Sequence, residues 1–354
     1  MSVNSYPSVS VVIPTYNEED NVEAVIGSFL NSKYPNILEI LVVDGESCDR
    51  TPEIVDKLAH YHYKPQIKLL NNPYRIQSIA LNIGLQASRG DIFLRADAHC
   101  RYSHDYVEKC IETLLTTKAS NVGGAQRFVA QEKFQAGVAV AANSFLGNGG
   151  AKYRNPQYNG YADTVFLGCL WTKTLLSLKG YSHQITNEDA ELNQRLLKDD
   201  SEAIYINSQI KVWYFPRKTW KSLFRQYFNY GRGRYLTSQK HRQDWQLRGK
   251  LPFLGLSGVI CWAIADLVLF SRNLYTKELF ILGILCILIE SLRINFKLQS
   301  KFHTEIWCGN IDAAPSFFNR WLNCAIVIPT IVVAHFSGYA YQFFRSKILR
   351  IPNY

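Results

Sequence analysis

Three long apolar segments, about Leu251 to Phe270, Leu279 to Ile294 and Trp321 to Phe344, occupy most of the last hundred residues of this 354-residue chain. Crossing the hydrocarbon layer of a bilayer takes roughly 17 to 25 such residues in a helix. Membrane insertion is therefore expected, with re-entrant or interfacial helices as the alternative, and a soluble monomer is not. Asp266, Glu290 and His335 interrupt the segments, and ionisable groups at that depth face protein or a polar cavity rather than lipid. Three crossings would carry Arg345, Lys347 and Arg350 to the side opposite the rest of the chain, against the tendency of basic residues to stay inside. A topology in which one segment does not cross is thus left open.

The net charge of +10 is uneven along the chain. Residues 1–210 hold 19 Lys and Arg against 23 Asp and Glu, residues 211–250 hold 11 against 1, and residues 251–354 hold 9 against 5. The basic belt stops where the first apolar segment starts, a placement suited to anionic lipid headgroups and not to a nucleic-acid groove. Three parts follow: residues 1–210 as a polar domain, 211–250 as a basic amphipathic segment at the membrane interface, and 251–354 as membrane helices with a basic tail. Eight cysteines show no CxxC pair and no zinc-type spacing. Mostly reduced thiols and a cytoplasmic catalytic face are expected. The start, MSVNSYPSVS, lacks both a basic beginning and an apolar core, so no cleavable signal is expected.

Residues 1–100 alternate β-branched runs with amphipathic stretches, the pattern of successive βαβ units. Strands are predicted at Val9–Ile13, stopping at Pro14, and at Glu39–Val43, Ile67–Leu70 and Asp91–Arg95. Helices are predicted at Asn21–Leu30, from Pro52 with Thr51 as cap, and at Gln77–Ala87. Ligands of such sheets bind beyond the carboxyl ends of the strands, and Tyr16, Asp44, Arg75 and Asp97 fall in those loops. After Asn121, Gly123, Gly124, Gly147, Gly149, Gly150 and Gly160 predict mostly loop, with space for an acceptor. Order returns with a helix from Asp189 to about Leu197 and a strand at Ile204–Ile206, followed by the basic-aromatic belt.

Carboxylates at two strand ends, Asp44 and Asp97, with a later Glu188-Asp189 pair, suggest a nucleotide and metal site with a separate base. The run Val11-Val12-Ile13-Pro14-Thr15-Tyr16-Asn17-Glu18, then Val42-Val43-Asp44-Gly45-Glu46-Ser47, Ala80-Leu81-Asn82-Ile83-Gly84-Leu85, Leu94-Arg95-Ala96-Asp97-Ala98-His99 and Asn187-Glu188-Asp189-Ala190-Glu191 resembles family 2 glycosyltransferases of the GT-A fold. The resemblance covers about residues 8 to 235. Asp97-Ala98-His99, Val122-Gly123-Gly124, Arg225-Gln226-Tyr227-Phe228 and Tyr230-Gly231-Arg232-Gly233-Arg234 look most like the membrane-bound succinoglycan-type exopolysaccharide glucosyltransferases within it.

The resemblance implies a Rossmann-like α/β nucleotide-sugar domain, then interfacial basic helices and membrane helices. It also implies an inverting transfer of one hexose, glucose the expected one, from a UDP-sugar to a lipid-linked saccharide in surface polysaccharide assembly. Alternatives are a polyprenyl-phosphate sugar synthase and an inactive membrane scaffold. Pro14, Thr15, Tyr16, Glu18, Asp44, Arg75 and Asp97 would bind the nucleotide sugar, Tyr16 by stacking on the base and Asp44 by hydrogen-bonding its edge. Asp97 and His99 occupy the family's Asp-x-Asp metal position, with imidazole for the second carboxylate. A divalent ion is expected there, Mn²⁺ ahead of Mg²⁺ because imidazole is the softer ligand. Asp189 matches the catalytic base, and a helix start suits its negative charge. Glu188, Gln226, Arg232 and Arg234 would contact acceptor or phosphate. Asn229 and Tyr230 stand where processive synthases carry Arg-Trp, which weakens a processive reading.

Overall fold

The computed structural model describes residues 6–62, 64–241, 247–268 and 275–351. Part of the predicted basic belt (242–246) and the end of the first apolar segment (269–270) lie outside the described residues. In chain order the first elements are β1 (Val9–Thr15), α1 (Val22–Leu30), β2 (Ile37–Asp44), α2 (Thr51–Tyr61), β3 (Gln66–Asn71), α3 (Gln77–Ala87), β4 (Ile92–Arg95), β5 (Cys100–Tyr102) and α4 (Tyr106–Thr116). Then come β6 (Asn121–Phe128), α5 (Lys133–Ala141), the single turn α6 (Phe145–Asn148), β7 (Gly160–Tyr161), β8 (Phe166–Trp171), α7 (Thr172–Ser177), α8 (Glu188–Asp199) and β9 (Ile204–Tyr214). Four long helices close the chain: α9 (Trp220–Lys240), α10 (Leu247–Val268), α11 (Thr276–Leu298) and α12 (Phe317–Phe343).

Two compact units emerge: residues 1–127 with 151–214, and residues 128–150 with 215–354. The first is an α/β unit. Among its described residues the strands run β3-β2-β1-β4-β8-β6-β9-β5, with β7 beside β9. The first four pair parallel, and β8 then runs antiparallel to β4 and β6. The fully buried Val11, Val12, Ile13, Leu41, Val42, Val43, Phe93 and Leu94 explain why these β-branched and apolar runs read so plainly as strands.

β1 does not stop at Pro14. Its pairing with β4 ends at Val12↔Arg95, while pairing with β2 continues through Thr15↔Asp44. Val12 O accepts from Ala96 N and Thr15 O from Gly45 N, so alternate residues face opposite neighbours. Pro14 shares Val12's side, where β4 has already ended, and its missing N–H breaks no ladder bond.

The mostly looped stretch expected after Asn121 is overturned: Gly123 and Gly124 lie within β6. A Cβ on Gly124 would sit 2.1 Å from Ile210 O, and one on Gly123 2.8 Å from Leu167 O. These glycines permit close backbone approach inside the sheet and open no acceptor space. β9 likewise runs on to Tyr214, so Lys211 to Tyr214, the start of the basic belt, is strand.

The second unit is helical. Ala130 N donates to Ile306 O (2.8 Å) and Cys308 N to Ala130 O (2.9 Å), joining residues 128–150 to the loop after α11. α9 packs on α12 through glycines: a Cβ on Gly231 would lie 2.1 Å from His335 O, and one on Gly338 1.8 Å from Phe228 O. Trp220 Nε1 donates to Thr330 Oγ1 at 2.9 Å across the same pair. Among the described residues three helical stretches, Lys250–Val268, Thr276–Ile306 and Phe317–Ile348, are long and apolar enough to cross a membrane.

Candidate active site

Parallel pairing of β1, β2 and β4 sends the loops that follow them to one edge of the first unit. Asp44, the last residue of β2, accepts from Thr15 Oγ1 (3.2 Å), Ser47 Oγ (2.6 Å) and Ser47 N (2.8 Å). Its carboxylate therefore organises its own loop, and Oδ2 keeps one lone pair for a ligand. Asn17 N donates to Ser47 Oγ (2.8 Å), and Asn17 Oδ1 accepts from Cys48 N (2.9 Å), zipping the β1 loop to the β2 loop. Asn17, Glu46 and Arg75 take left-handed backbone angles, which cost a residue other than glycine about 1 kcal/mol each. Above this frame Tyr16 is 47% exposed. The Arg75 guanidinium lies 5.7 Å from its ring centre and 3.1 Å from Glu46 Oε2. An open aromatic face flanked by a guanidinium and a carboxylate can stack on and hydrogen-bond a planar heterocycle.

Past β4 the chain brings a second group together. Asp97 is nearly buried, with its N–H donated to Tyr102 OH at 2.7 Å. His99 Nδ1 lies 3.2 Å from Glu18 Oε1, and Glu18 Oε2 accepts from Asn21 Nδ2 at 2.9 Å. Both Glu18 oxygens thus face protein. Because a carboxylate accepts, Nδ1 is the donor of this bond, which leaves Nε2 of a neutral ring as the nitrogen that can ligate a metal. Among the described residues no three His, Cys, Asp or Glu side chains gather to hold a metal ion unaided. One carboxylate and one imidazole fit an ion whose remaining positions are filled by phosphate oxygens and water.

The third group was only half legible. Asn187, in the left-handed conformation, leads into α8, whose first two residues are Glu188 and Asp189. Asp189 is half-buried, and its Oδ1 accepts from Ala190 N at 2.7 Å. Glu188, expected to contact acceptor or phosphate, is instead 3% exposed and paired with Arg95 Nη1 at 3.0 Å. An inward-turned carboxylate at that depth does not meet a solvated ligand. Arg95 Nε also reaches Asp97 Oδ1 at 3.2 Å, and Gln77 Nε2 donates to that same oxygen at 3.3 Å. Sequence reading passed over Arg95 and Gln77. The available signal was a cation ending an otherwise apolar central strand, which must find partners.

Burial pushes the Glu188 carboxyl up from 4.5 to about 7, against the pull of Arg95 and with the help of Asp189. The folded chain then binds a proton that the unfolded chain releases. The stability this supplies is complete below about pH 4.5 and is lost as pH rises through about 7. Glu188→Gln removes the titration. The thermal midpoint of the wild type minus that of the variant should therefore fall between pH 5 and pH 8, and a pH-independent difference would refute the shift.

Gln226, Arg232 and Arg234 belong to the second unit, on α9. Gln226 Nε2 donates to Tyr230 OH (3.1 Å) and Arg232 Nε to Gln342 Oε1 (3.1 Å). The Arg232 guanidinium also lies 5.4 Å from the Tyr341 ring centre.

A family model described as glycosyl transferase family 2 matches residues 10–170. A succinoglycan biosynthesis protein, ExoA, of Rhizobium meliloti (strain 1021) is 37% identical over 257 residues, 71% of this chain and 77% of that protein. The dolichyl N-acetyl-alpha-D-glucosaminyl phosphate 3-beta-D-2,3-diacetamido-2,3-dideoxy-beta-D-glucuronosyltransferase of Methanococcus voltae is 27% identical over 306 residues, 84% of this chain and 91% of that protein. Among solved structures, the mannosyltransferase PcManGT from Pyrobaculum calidifontis, in complex with GDP-Man and Mn²⁺, superposes with a TM-score of 0.61 at 16% identity, covering 94% of this chain and 88% of that one. The sheet is that of the GT-A fold.

Proposed function

The chain belongs to glycosyl transferase family 2, and from that premise we propose that it moves one hexose, glucose first among candidates, from a UDP-sugar to a lipid-linked saccharide with inversion at the anomeric carbon. The observation that carries this reading is the arrangement of the first unit. An exposed Tyr16 face with Arg75 and the Asp44 loop, the Asp97–His99 pair, and a half-buried Asp189 at the start of α8 all belong to it. The succinoglycan relative supports a polysaccharide role, and the Methanococcus relative, whose name describes transfer to a sugar on a lipid phosphate, supports a saccharide acceptor.

In this reading Tyr16 stacks on uracil, Asp44 accepts from its edge through the remaining Oδ2 lone pair, and Thr15 and Pro14 shape the floor. Glu18 acts through His99. Asp97 and His99 would hold the divalent ion, which when bound offsets charge on the departing diphosphate. Asp189 takes the proton of the acceptor hydroxyl as its oxygen bonds to the anomeric carbon. The bond from that carbon to the diphosphate oxygen breaks on the opposite face, and UDP leaves with the electron pair. Arg232 and Arg234 would grip phosphate of the lipid carrier. The basic belt would sit on anionic lipid, with the catalytic face on the cytoplasmic side.

The test is purified full chain in lipid with a panel of nucleotide sugars and acceptors. UDP-glucose and a lipid-linked saccharide should support transfer, and transfer to bare polyprenyl phosphate alone would overturn the acceptor. Chelation should stop the reaction and Mn²⁺ restore it better than Mg²⁺. His99→Asp should move the preference toward Mg²⁺, since a carboxylate is the harder ligand. Transfer indifferent to chelation would remove the metal from the scheme.

A further inference from the structure

We infer that Arg95 is a positioning residue that ties the carboxylate of Asp97 to the first turn of α8, fixing the spacing between the donor side of the site and Asp189. The inference rests on the proposed role of Asp189.

Arg95 ends β4, whose other residues are Ile92, Phe93 and Leu94, and it is 7% exposed between β1 and β8. A guanidinium is held at that depth only by well-made charged hydrogen bonds. Here two of its nitrogens serve two different elements. Nε reaches Asp97 Oδ1 at 3.2 Å, two residues along, and Nη1 reaches Glu188 Oε1 at 3.0 Å, 93 residues along. A planar fork with separated donors can do this, whereas a lysine ammonium on a flexible stem cannot hold the same two directions.

Gln184 Nε2 donates to Asn187 O (3.2 Å) and Ser182 Oγ to Glu191 Oε2 (2.6 Å) in the same turn, but it is the Arg95 fork that links this turn to Asp97. Asn187 makes no side-chain capping bond there. Glu188 is therefore the inward anchor of the turn, and its chain neighbour Asp189 faces outward because Glu188 faces inward. A shift of about 1 Å in a base is enough to cost roughly 10²-fold in rate. The fork would set this distance.

The experiment uses the full chain in lipid. Arg95→Met removes the shared partner of two buried acids and Glu188→Met takes from Arg95 one of its two partners, so each should lower the thermal midpoint. The double variant R95M/E188M replaces the pair with apolar groups of similar length and should regain most of that loss. If Arg95 positions Asp189, kcat of the double variant stays about 100-fold or more below wild type while the donor KM moves less than about fivefold. Backbone amides of residues 189–192 also exchange faster than in wild type. Recovery of transfer together with the midpoint would overturn the inference and leave the pair a stabilising contact only. Wild type that transfers nothing overturns the proposed function instead. Exchange at 189–192, read without substrate, still decides on the fork: protection unchanged in the double variant overturns it.

Discussion

Asp189→Asn is expected to cut transfer by about 10²-fold or more while binding UDP-sugar within a few-fold of wild type. The substitution exchanges one atom. The amide oxygen can keep the bond that Oδ1 accepts from Ala190 N, now 2.7 Å, so α8 should start at the same residue and the thermal midpoint should hold. What the amide cannot do is take a proton from the acceptor hydroxyl. In the proposed scheme the donor side is built from other elements, the loops after β1, β2 and β4, and has no need of this side chain. The loss should therefore appear in kcat and not in the UDP-sugar dissociation constant. The configuration of the product, read by NMR of the anomeric proton, completes the measurement, since attack opposite the leaving group inverts it. Turnover near wild type would remove Asp189 as the base, and equal losses in binding and turnover would place it on the donor side.

Much of the α/β unit was legible because its strands are buried on both faces. Val11 to Ile13 and Ile40 to Val43 had to be apolar and largely β-branched to fill that layer, and helix α3 emerged at the residues its pattern predicts. The pattern failed where a residue serves backbone approach and not side-chain packing. Gly123 and Gly124 look like a turn, yet each lies against a neighbouring carbonyl in the sheet. Carboxylates gave the reverse difficulty. Asp44, Asp97, Glu188 and Asp189 are alike as letters, but Asp44 organises a loop, Glu188 neutralises a buried arginine and Asp189 is left half-open. Only the direction of each side chain separates these tasks, and periodicity says nothing of direction next to a helix start. Membership of residues 128–150 with the long helices was hidden for a related reason. It depends on bonds such as Ala130 N to Ile306 O, 176 residues apart in sequence.

Gly338→Ala should destabilise the helical unit by about 3 kcal/mol, near the upper end of ordinary overpacking, whereas the same change at Gly283 should be neutral or stabilising. Both glycines lie inside long apolar helices, so composition and helix propensity treat them alike. In an open helix position, alanine is better than glycine by about 1 kcal/mol. Gly283 has no atom within 4 Å of an added Cβ, and that gain is available to it. At Gly338 the added carbon would stand 1.8 Å from Phe228 O and 2.7 Å from the Phe228 carbonyl carbon, both backbone atoms that no rotamer change can move. Gly231 makes the reciprocal approach to His335 O at 2.1 Å, so the crossing is set from both helices. To restore ordinary contact the two backbones must part by more than about 1 Å. That separation pulls on the Trp220–Thr330 bond (2.9 Å), the Arg232–Gln342 bond (3.1 Å) and the Tyr235–Tyr339 ring pair (5.3 Å). Small residues that let two backbones approach depend on such packing and bonds to hold the crossing, and an added carbon gives nothing in return. Unfolding of both variants in the same detergent, followed by helix content, gives the comparison. Equal midpoints for G338A and G283A would mean that the close crossing of α9 and α12 does not hold this unit together.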